Sequence, residues 1–300
     1  MTAAASVAAP DRADRRAPLA ALILGACAIG FAPVLVRLAE TGPAAAGFWR
    51  LAFALPMLAV LAARVDKAAF APPSRAMLAA GLLFAGDLAF WHYGIRYTSV
   101  AKATVMSNLT PVVVTLAAWL AFRERPRRLF LAGLALAVAG AAAMALSKSN
   151  LPGRDPPLGD ALSLATAFWY AFYFLAVRKA REQSSASRVM FWSSAVGAPI
   201  LLVVALAMGE DILPAGPGGW AACLGLGVAH VVGQGAIAWA LGRLPTATAS
   251  VVVLVQPVVA ALLGWLLFAE RLTPVQALGG AAALAGVAFA QWAAGRKAAS

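Results

Sequence analysis

Charge is scarce in this sequence. Asp, Glu, Lys and Arg make up 12% of its 300 residues and hydrophobic residues 62%, whereas a soluble domain carries about 25% charge. That leaves too little polar surface to coat a globule in water, and the mean hydropathy of +0.82 makes lipid the expected outer solvent. Cysteine is nearly absent. Cys27 and Cys223 fall inside apolar runs with no CxxC partner, which excludes a disulfide framework and leaves two small apolar side chains. Histidine is limited to His92 and His230; without HExxH there is no metal site to read. No GxxxxGK[ST] is present, so the chain holds no ATP motor of its own. No GxSxG or carboxylate cluster offers a nucleophile with its base, so the expectation is a protein that is not an enzyme and needs no cofactor. The net charge is +12, but it sits in short clusters between apolar runs. Membrane topology explains such clusters, and a nucleic-acid partner would need the charge on one face.

What the sequence does have is an internal repeat. Residues 101–142 recur at 247–288 without a gap: Pro111 falls on Pro257, Val112-Val113 on Val258-Val259, Trp119-Leu120 on Trp265-Leu266, Phe122 on Phe268, Glu124-Arg125 on Glu270-Arg271, Gly133 on Gly279 and Gly140 on Gly286. A membrane chain built from two related halves is the sequence sign of a secondary carrier, with its site at the midplane between the repeats.

A helix crossing ~30 Å of hydrocarbon needs about 20 apolar residues. Ten runs fit: 18–38, 45–63, 75–95, 101–122, 129–147, 159–178, 188–208, 219–241, 246–268 and 274–294. The first follows a basic patch (Arg12, Arg15, Arg16) and is too long for a signal-peptide core, so it reads as an uncleaved helix. Polar or Pro/Gly-rich breaks separate the runs, as at Glu40-Thr41-Gly42-Pro43 and Arg64-Val65-Asp66-Lys67. The longest, Ser147 to Pro157, divides the chain into a first five-helix repeat (1–147), a loop (148–157) and a second repeat (158–300). With both termini placed in the cytoplasm, that side holds 17 Lys and Arg and the other side seven, together all 24. That asymmetry predicts N-in and C-in, and the expected home is a bacterial inner membrane. Five spans per half is an odd number, so the second half enters the membrane upside down. The expected fold is all-α integral membrane, ten transmembrane helices as two inverted five-helix repeats. The first two helices of each half match more weakly: Phe31 and Val36-Arg37 resemble Phe172 and Val177-Arg178, and Phe48-Trp49 and Pro56 resemble Phe191-Trp192 and Pro199.

Several motifs are similar to those of the drug/metabolite transporter superfamily, specifically its EamA-type ten-helix carriers. They are Tyr97-Thr98-Ser99-Val100-Ala101-Lys102-Ala103, Asn108-Leu109-Thr110-Pro111-Val112 and Glu124-Arg125 in the first half. In the second they are Leu244-Pro245-Thr246-Ala247-Thr248-Ala249-Ser250, Gln256-Pro257-Val258-Val259 and Glu270-Arg271-Leu272-Thr273. The resemblance covers nearly the whole chain and implies export of small metabolites, amino acids among them, without ATP. Arg123 departs from the glycine that the family often places before Glu-Arg.

Ionisable residues within the hydrocarbon are costly and mark function by default. Asp87 sits near the centre of the third run and His230 near the centre of the eighth, the same helix of the other repeat. They are candidates to bind a charged substrate group or take up a proton. Trp91 lies four residues from Asp87 and Gln234 four from His230, each on the same helix face. Trp169 and Tyr173 share a face of the sixth run, and together these side chains could wall a small-molecule cavity. In the fourth run Thr104, Ser107 and Asn108 answer Ser250 and Gln256 in the ninth. Pro111 and Pro257 each free a carbonyl one turn earlier and are candidate hinges, as is Pro33 in the first run. Glu270-Arg271 reads as an interfacial pair anchoring a helix end, and the span centres show no buried Lys or Arg for a phosphate-bearing cargo. The reading is a secondary active transporter exporting small organic metabolites, amino acids and aromatic ones foremost, by alternating access. A sugar or nucleotide-sugar carrier is the alternative, ahead of a channel, a scaffold or an intramembrane enzyme. Its partners are the lipid bilayer, a small-molecule substrate and protons as a candidate coupling ion, with monomer and homodimer both open.

Overall fold

The computed structural model describes residues 16–110, 112–113, 128–146, 155–241, 243–244 and 252–295. Its elements are α1 (Arg16–Gly30), α2 (Ala32–Leu38), α3 (Pro43–Val65), α4 (Arg75–Tyr97), α5 (Val100–Ser107), α6 (Arg128–Leu146), α7 (Pro156–Arg181), α8 (Ala186–Ala207), α9 (Pro217–Ala229), a π-helical turn (His230–Gln234), α10 (Gly235–Leu241), α11 (Val255–Phe268) and α12 (Pro274–Gly295). All are helical, and no strand occurs among the described residues. Six stretches are long and apolar enough to cross a membrane: Arg16–Leu38, Pro43–Val65, Arg75–Tyr97, Pro156–Arg181, Ala186–Ala207 and Pro217–Ala240. Their ends fall within three residues of the runs read from hydropathy. Prolines at the starts of α3, α7 and α9 occupy the first turn, where a missing N–H costs nothing. Ser74, Ser99, Asp155 and Ser185 cap α4, α5, α7 and α8 by accepting an N–H of the first turn.

The chain is an all-helical membrane bundle with repeated halves, and its packing has the signature of a twofold. α3 packs on α8, α5 on α11 and α6 on α12, each against its own counterpart in the other repeat. α4 packs on α7, while the first span packs on the span made of α9, the π-turn and α10; these two pairs exchange under the same rotation. Small residues fix the closest approaches. A Cβ on Gly140 would fall on Ala283 and the Gly279 carbonyl, and one on Gly286 would fall on Ala137 and the Gly133 carbonyl. Shifting the first set by the 146 residues of the internal repeat reproduces the second. Gly133 meanwhile abuts Ala290, so α6 and α12 run antiparallel, as inversion requires.

The α3–α8 pair repeats the symmetry at its ends. Trp49 Nε1 donates to the Ile212 carbonyl at 2.7 Å, and Trp192 Nε1 to the Ala69 carbonyl at 3.1 Å. Glu210, just past α8, accepts the Ala44 and Ala45 N–H groups that open α3. Asp66, just past α3, accepts the Ser185 hydroxyl and N–H that open α8. Each acid thus satisfies orphan donors at its partner's positive helix end.

Three departures from regular helix bear on the hinge candidates. The first span breaks at Phe31, which places Pro33 in the first turn of α2 and not in a continuous helix. The helical run breaks again at Leu254, three residues before Pro257. The equivalent turn at Asn108-Leu109 ends α5. Pro111 itself lies outside the described residues, as do Glu124-Arg125 and Ser250.

Candidate functional site

Four spans bring the central polar side chains together. α4 supplies Phe84, Asp87, Trp91 and His92, one face of a helix at spacings of three, four and one. α3 supplies Arg50, α7 supplies Tyr170 and Tyr173, and the π-turn supplies His230 and Gln234. π-turns are rare and concentrate at functional positions, because the extra residue re-aims a side chain. Here the turn spans His230 and Gln234, both singled out in the sequence. Asp87 and His230 lie on the third helix of each repeat, and both are buried.

The aromatic walls are explicit. The Tyr173 ring stacks on Phe84 with centroids 4.6 Å apart, Phe84 lies 5.3 Å from the His230 ring, and Tyr170 lies 5.7 Å from Tyr173. His230 Nε2 and the Ser194 hydroxyl are 3.2 Å apart, with donor and acceptor set by the tautomer. Gln234 Nε2 donates to the Tyr170 hydroxyl at 3.4 Å. The Tyr173 hydroxyl reaches Met190 Sδ at 3.6 Å. Asp87, Trp91, Tyr173, His230 and Gln234 thus converge. Trp169 does not join them: its indole packs over Gly86, where a Cβ would come within 2.5 Å of the ring, and lies 5.7 Å from Phe90. Gly86 and Phe90 form the α4 face beside the one that carries Asp87. Asn108 and Gln256 are buried too, but no contact ties either to this cluster among the described residues. The Asn108 amide donates to the Thr104 carbonyl of its own helix at 2.8 Å, and Gln256 Nε2 finds no partner.

Arg50 is the residue that sequence reasoning missed. The charge count placed it on a membrane face, and the span centres were read as free of Lys and Arg. The structure corrects both. Arg50 is 1% exposed, with its guanidinium carbon 5.9 Å from the Phe84 ring centre and 5.8 Å from that of Trp91. Its Nε and Nη1 have no hydrogen-bond partner among the described residues. The signal was available, since Arg50 lies five residues inside the apolar run 45–63. Lys102 is likewise buried and pairs with Asp160 at 2.7 Å.

The ends of the bundle carry a second polar network. Glu270 is expected from sequence to pair with its neighbour Arg271. It bonds instead to Arg37 of α2 at 2.5 Å and accepts the Val100 N–H at 3.3 Å. The chain leaves α11 at Phe268 through Ala269 in the left-handed conformation, after which Glu270 is 3% exposed and Arg271 is exposed. Arg37 also donates to the Ile95 and Thr98 carbonyls, and the Thr98 hydroxyl donates to Asp160. First, third, fourth, sixth and ninth spans are thereby tied at one end.

Comparison with known proteins fits this architecture. Residues 17–146 and 157–291 each match the model of the EamA-like transporter family. A protein of Archaeoglobus fulgidus described as an uncharacterized transporter is 28% identical over 279 residues, spanning 90% of this chain and 95% of the relative. A solved crystal structure of a protein 19% identical in sequence superposes with a TM-score of 0.64 over 93% of this chain and 98% of that one, a likeness of fold.

Proposed function

The chain belongs to the EamA-like transporter family, and on that premise we propose that it exports small organic metabolites, amino acids and aromatic ones foremost, by alternating access. The observation that carries this reading is the pair Asp87 and His230. They are buried on the third helix of each repeat, and the rings of Phe84, Tyr173 and Tyr170 stack in sequence from His230. A small molecule with an apolar body and a few charged or polar groups is complementary to such a site. The inverted repeat supplies the mechanism, because rocking one half against the other exposes a fixed central site to each side in turn. The proposed setting is a bacterial inner membrane with both termini cytoplasmic.

A sugar or nucleotide-sugar cargo is the second reading. A phosphate ester calls for several free cations, and the centre offers the single guanidinium of Arg50, Lys102 being paired with Asp160. The test is efflux of labelled amino acids and sugars from proteoliposomes holding the purified protein. Saturable amino-acid flux is expected. Flux that rises linearly with concentration would indicate a channel, and sugar flux without amino-acid flux would favour the second reading.

A further inference from the structure

Burying a charge without a partner is among the most costly arrangements in a protein, and within hydrocarbon nothing else can compensate it. The centre of this bundle holds two such charges of opposite sign. Arg50 on α3 leaves Nε and Nη1 without an acceptor among the described residues. Asp87 on α4 accepts no hydrogen bond from a described residue and is 6% exposed. The two do not close into an ion pair, although elsewhere in the chain Arg37 with Glu270 and Lys102 with Asp160 do so at 2.5 and 2.7 Å.

We propose that Arg50 is the residue that selects a carboxylate on the substrate, with Asp87 receiving the neighbouring ammonium, so that the bound molecule is a zwitterion that bridges the two charges. This rests on the transporter reading above and specifies the polar end of its cargo. The guanidinium carbon lies over the rings of Phe84 and Trp91, a contact that leaves its edge donors for an incoming anion. Tyr170 and Tyr173 stand beside the pair and fit the apolar part of the same molecule. The second repeat contributes no rival charge. At the 143-residue offset of Trp49 and Trp192, Arg50 corresponds to Ser193, whose hydroxyl is spent on the Met190 carbonyl, and the second-repeat residues described in the cluster, Tyr170, Tyr173, His230 and Gln234, include no Lys, Arg, Asp or Glu. Both charges therefore come from the first repeat, and the site is polar in one direction.

Three probes test this: L-phenylalanine, 2-phenylethylamine, which lacks the carboxylate, and 3-phenylpropionate, which lacks the ammonium. Each competes for saturable phenylalanine flux in proteoliposomes. In the wild type each truncated probe should compete about 10–100-fold more weakly than phenylalanine, the worth of one charge-assisted hydrogen bond. Arg50→Gln should erase the preference for phenylalanine over 2-phenylethylamine while keeping the preference over 3-phenylpropionate. Asp87→Asn should do the reverse, and Arg50→Lys should keep part of the first preference. Wild-type protein that moves phenylalanine but does not discriminate against either truncated probe overturns the zwitterion proposal without any variant. So does an Arg50→Gln protein that weakens all three probes alike, which makes Arg50 structural. If the wild type moves sugars and none of the three probes, the amino-acid reading fails along with this one, an outcome distinct from the other two.

Discussion

Glu270→Gln is the most informative single change outside the centre. It keeps the shape of the side chain and removes its charge. The carboxylate ties Arg37 of the first span to the Val100 N–H that opens the fourth, and Arg37 in turn holds the last carbonyls of α4. In an alternating-access cycle this end of the bundle must open, and the network is what opening has to break. Hydrogen bonds to charged groups contribute about 1.5–3 kcal/mol. Arg37 keeps 16% of its side chain exposed and so recovers part of the loss in water, which leaves about 2 kcal/mol after screening. That energy shifts an open–closed equilibrium about thirtyfold. Ile95 reports the change, because it is fully buried beside Arg37, Pro43 and His92. In a Cys27→Ala/Cys223→Ala background, Ile95→Cys should react slowly with a membrane-impermeant maleimide. Adding Glu270→Gln should raise that rate at least tenfold, and saturating substrate should change the rate again. An unaltered labelling rate in correctly inserted protein refutes the assignment of this network to closure and reduces it to a helix anchor.

Three further outcomes follow from other parts of the chain. Reporter fusions at residues 150 and 300 should report opposite sides of the membrane, because five spans separate them; one side for both breaks the inverted repeat. Trp91→Ala and Trp169→Ala should both lower the melting temperature through lost packing, but in correctly inserted protein only Trp91→Ala should cut transport, because Trp169 packs on Gly86 away from the polar cluster; reversed transport phenotypes would exchange their roles. The Ala68 N–H, then the Ser185 hydroxyl and N–H and the Arg188 charge, hold the Asp66 carboxyl below its ordinary value, so its contribution is complete above about pH 4 and disappears on further acidification. Melting curves from pH 7 to 3 should therefore converge for wild type and Asp66→Asn at the acid end, and parallel curves would show that the cap contributes nothing.

The scaffold was legible because its signals are long. Apolar runs and a gapless match of 101–142 to 247–288 survive errors of a few residues, and the ends of the six long spans came out accordingly. The glycines of α6 and α12 were readable for the same reason: close antiparallel packing leaves no room for a Cβ, whatever the rest of the fold does. Side-chain direction was the part that spacing alone could not give. Trp169 and Tyr173 are four residues apart on α7, yet one faces Gly86 and the other Phe84. A helix face about 100° wide meets two faces of its neighbour. Arg50 was lost to a different habit, that of assigning every cation near a span end to the interface, when only its burial distinguishes it from a snorkelling one.

Symmetry accounts for the remaining difference between scaffold and site. The contacts that the repeats share belong to the joints: the glycine seams of α6 and α12, the indole bonds of Trp49 and Trp192, and the acids past α3 and α8 that cap each other's helices. A rocking motion must leave each joint equally sound from both sides, which favours keeping the two copies alike. On the proposed reading the centre faces no such demand, because the single substrate it would hold has no twofold axis. Arg50 opposite Ser193 is one of the places where the copies part. An asymmetric centre between matched joints is what the proposed carrier for an asymmetric molecule requires. By the same logic, restoring symmetry through Arg50→Ser should damage recognition while leaving the joints, and hence the fold, intact.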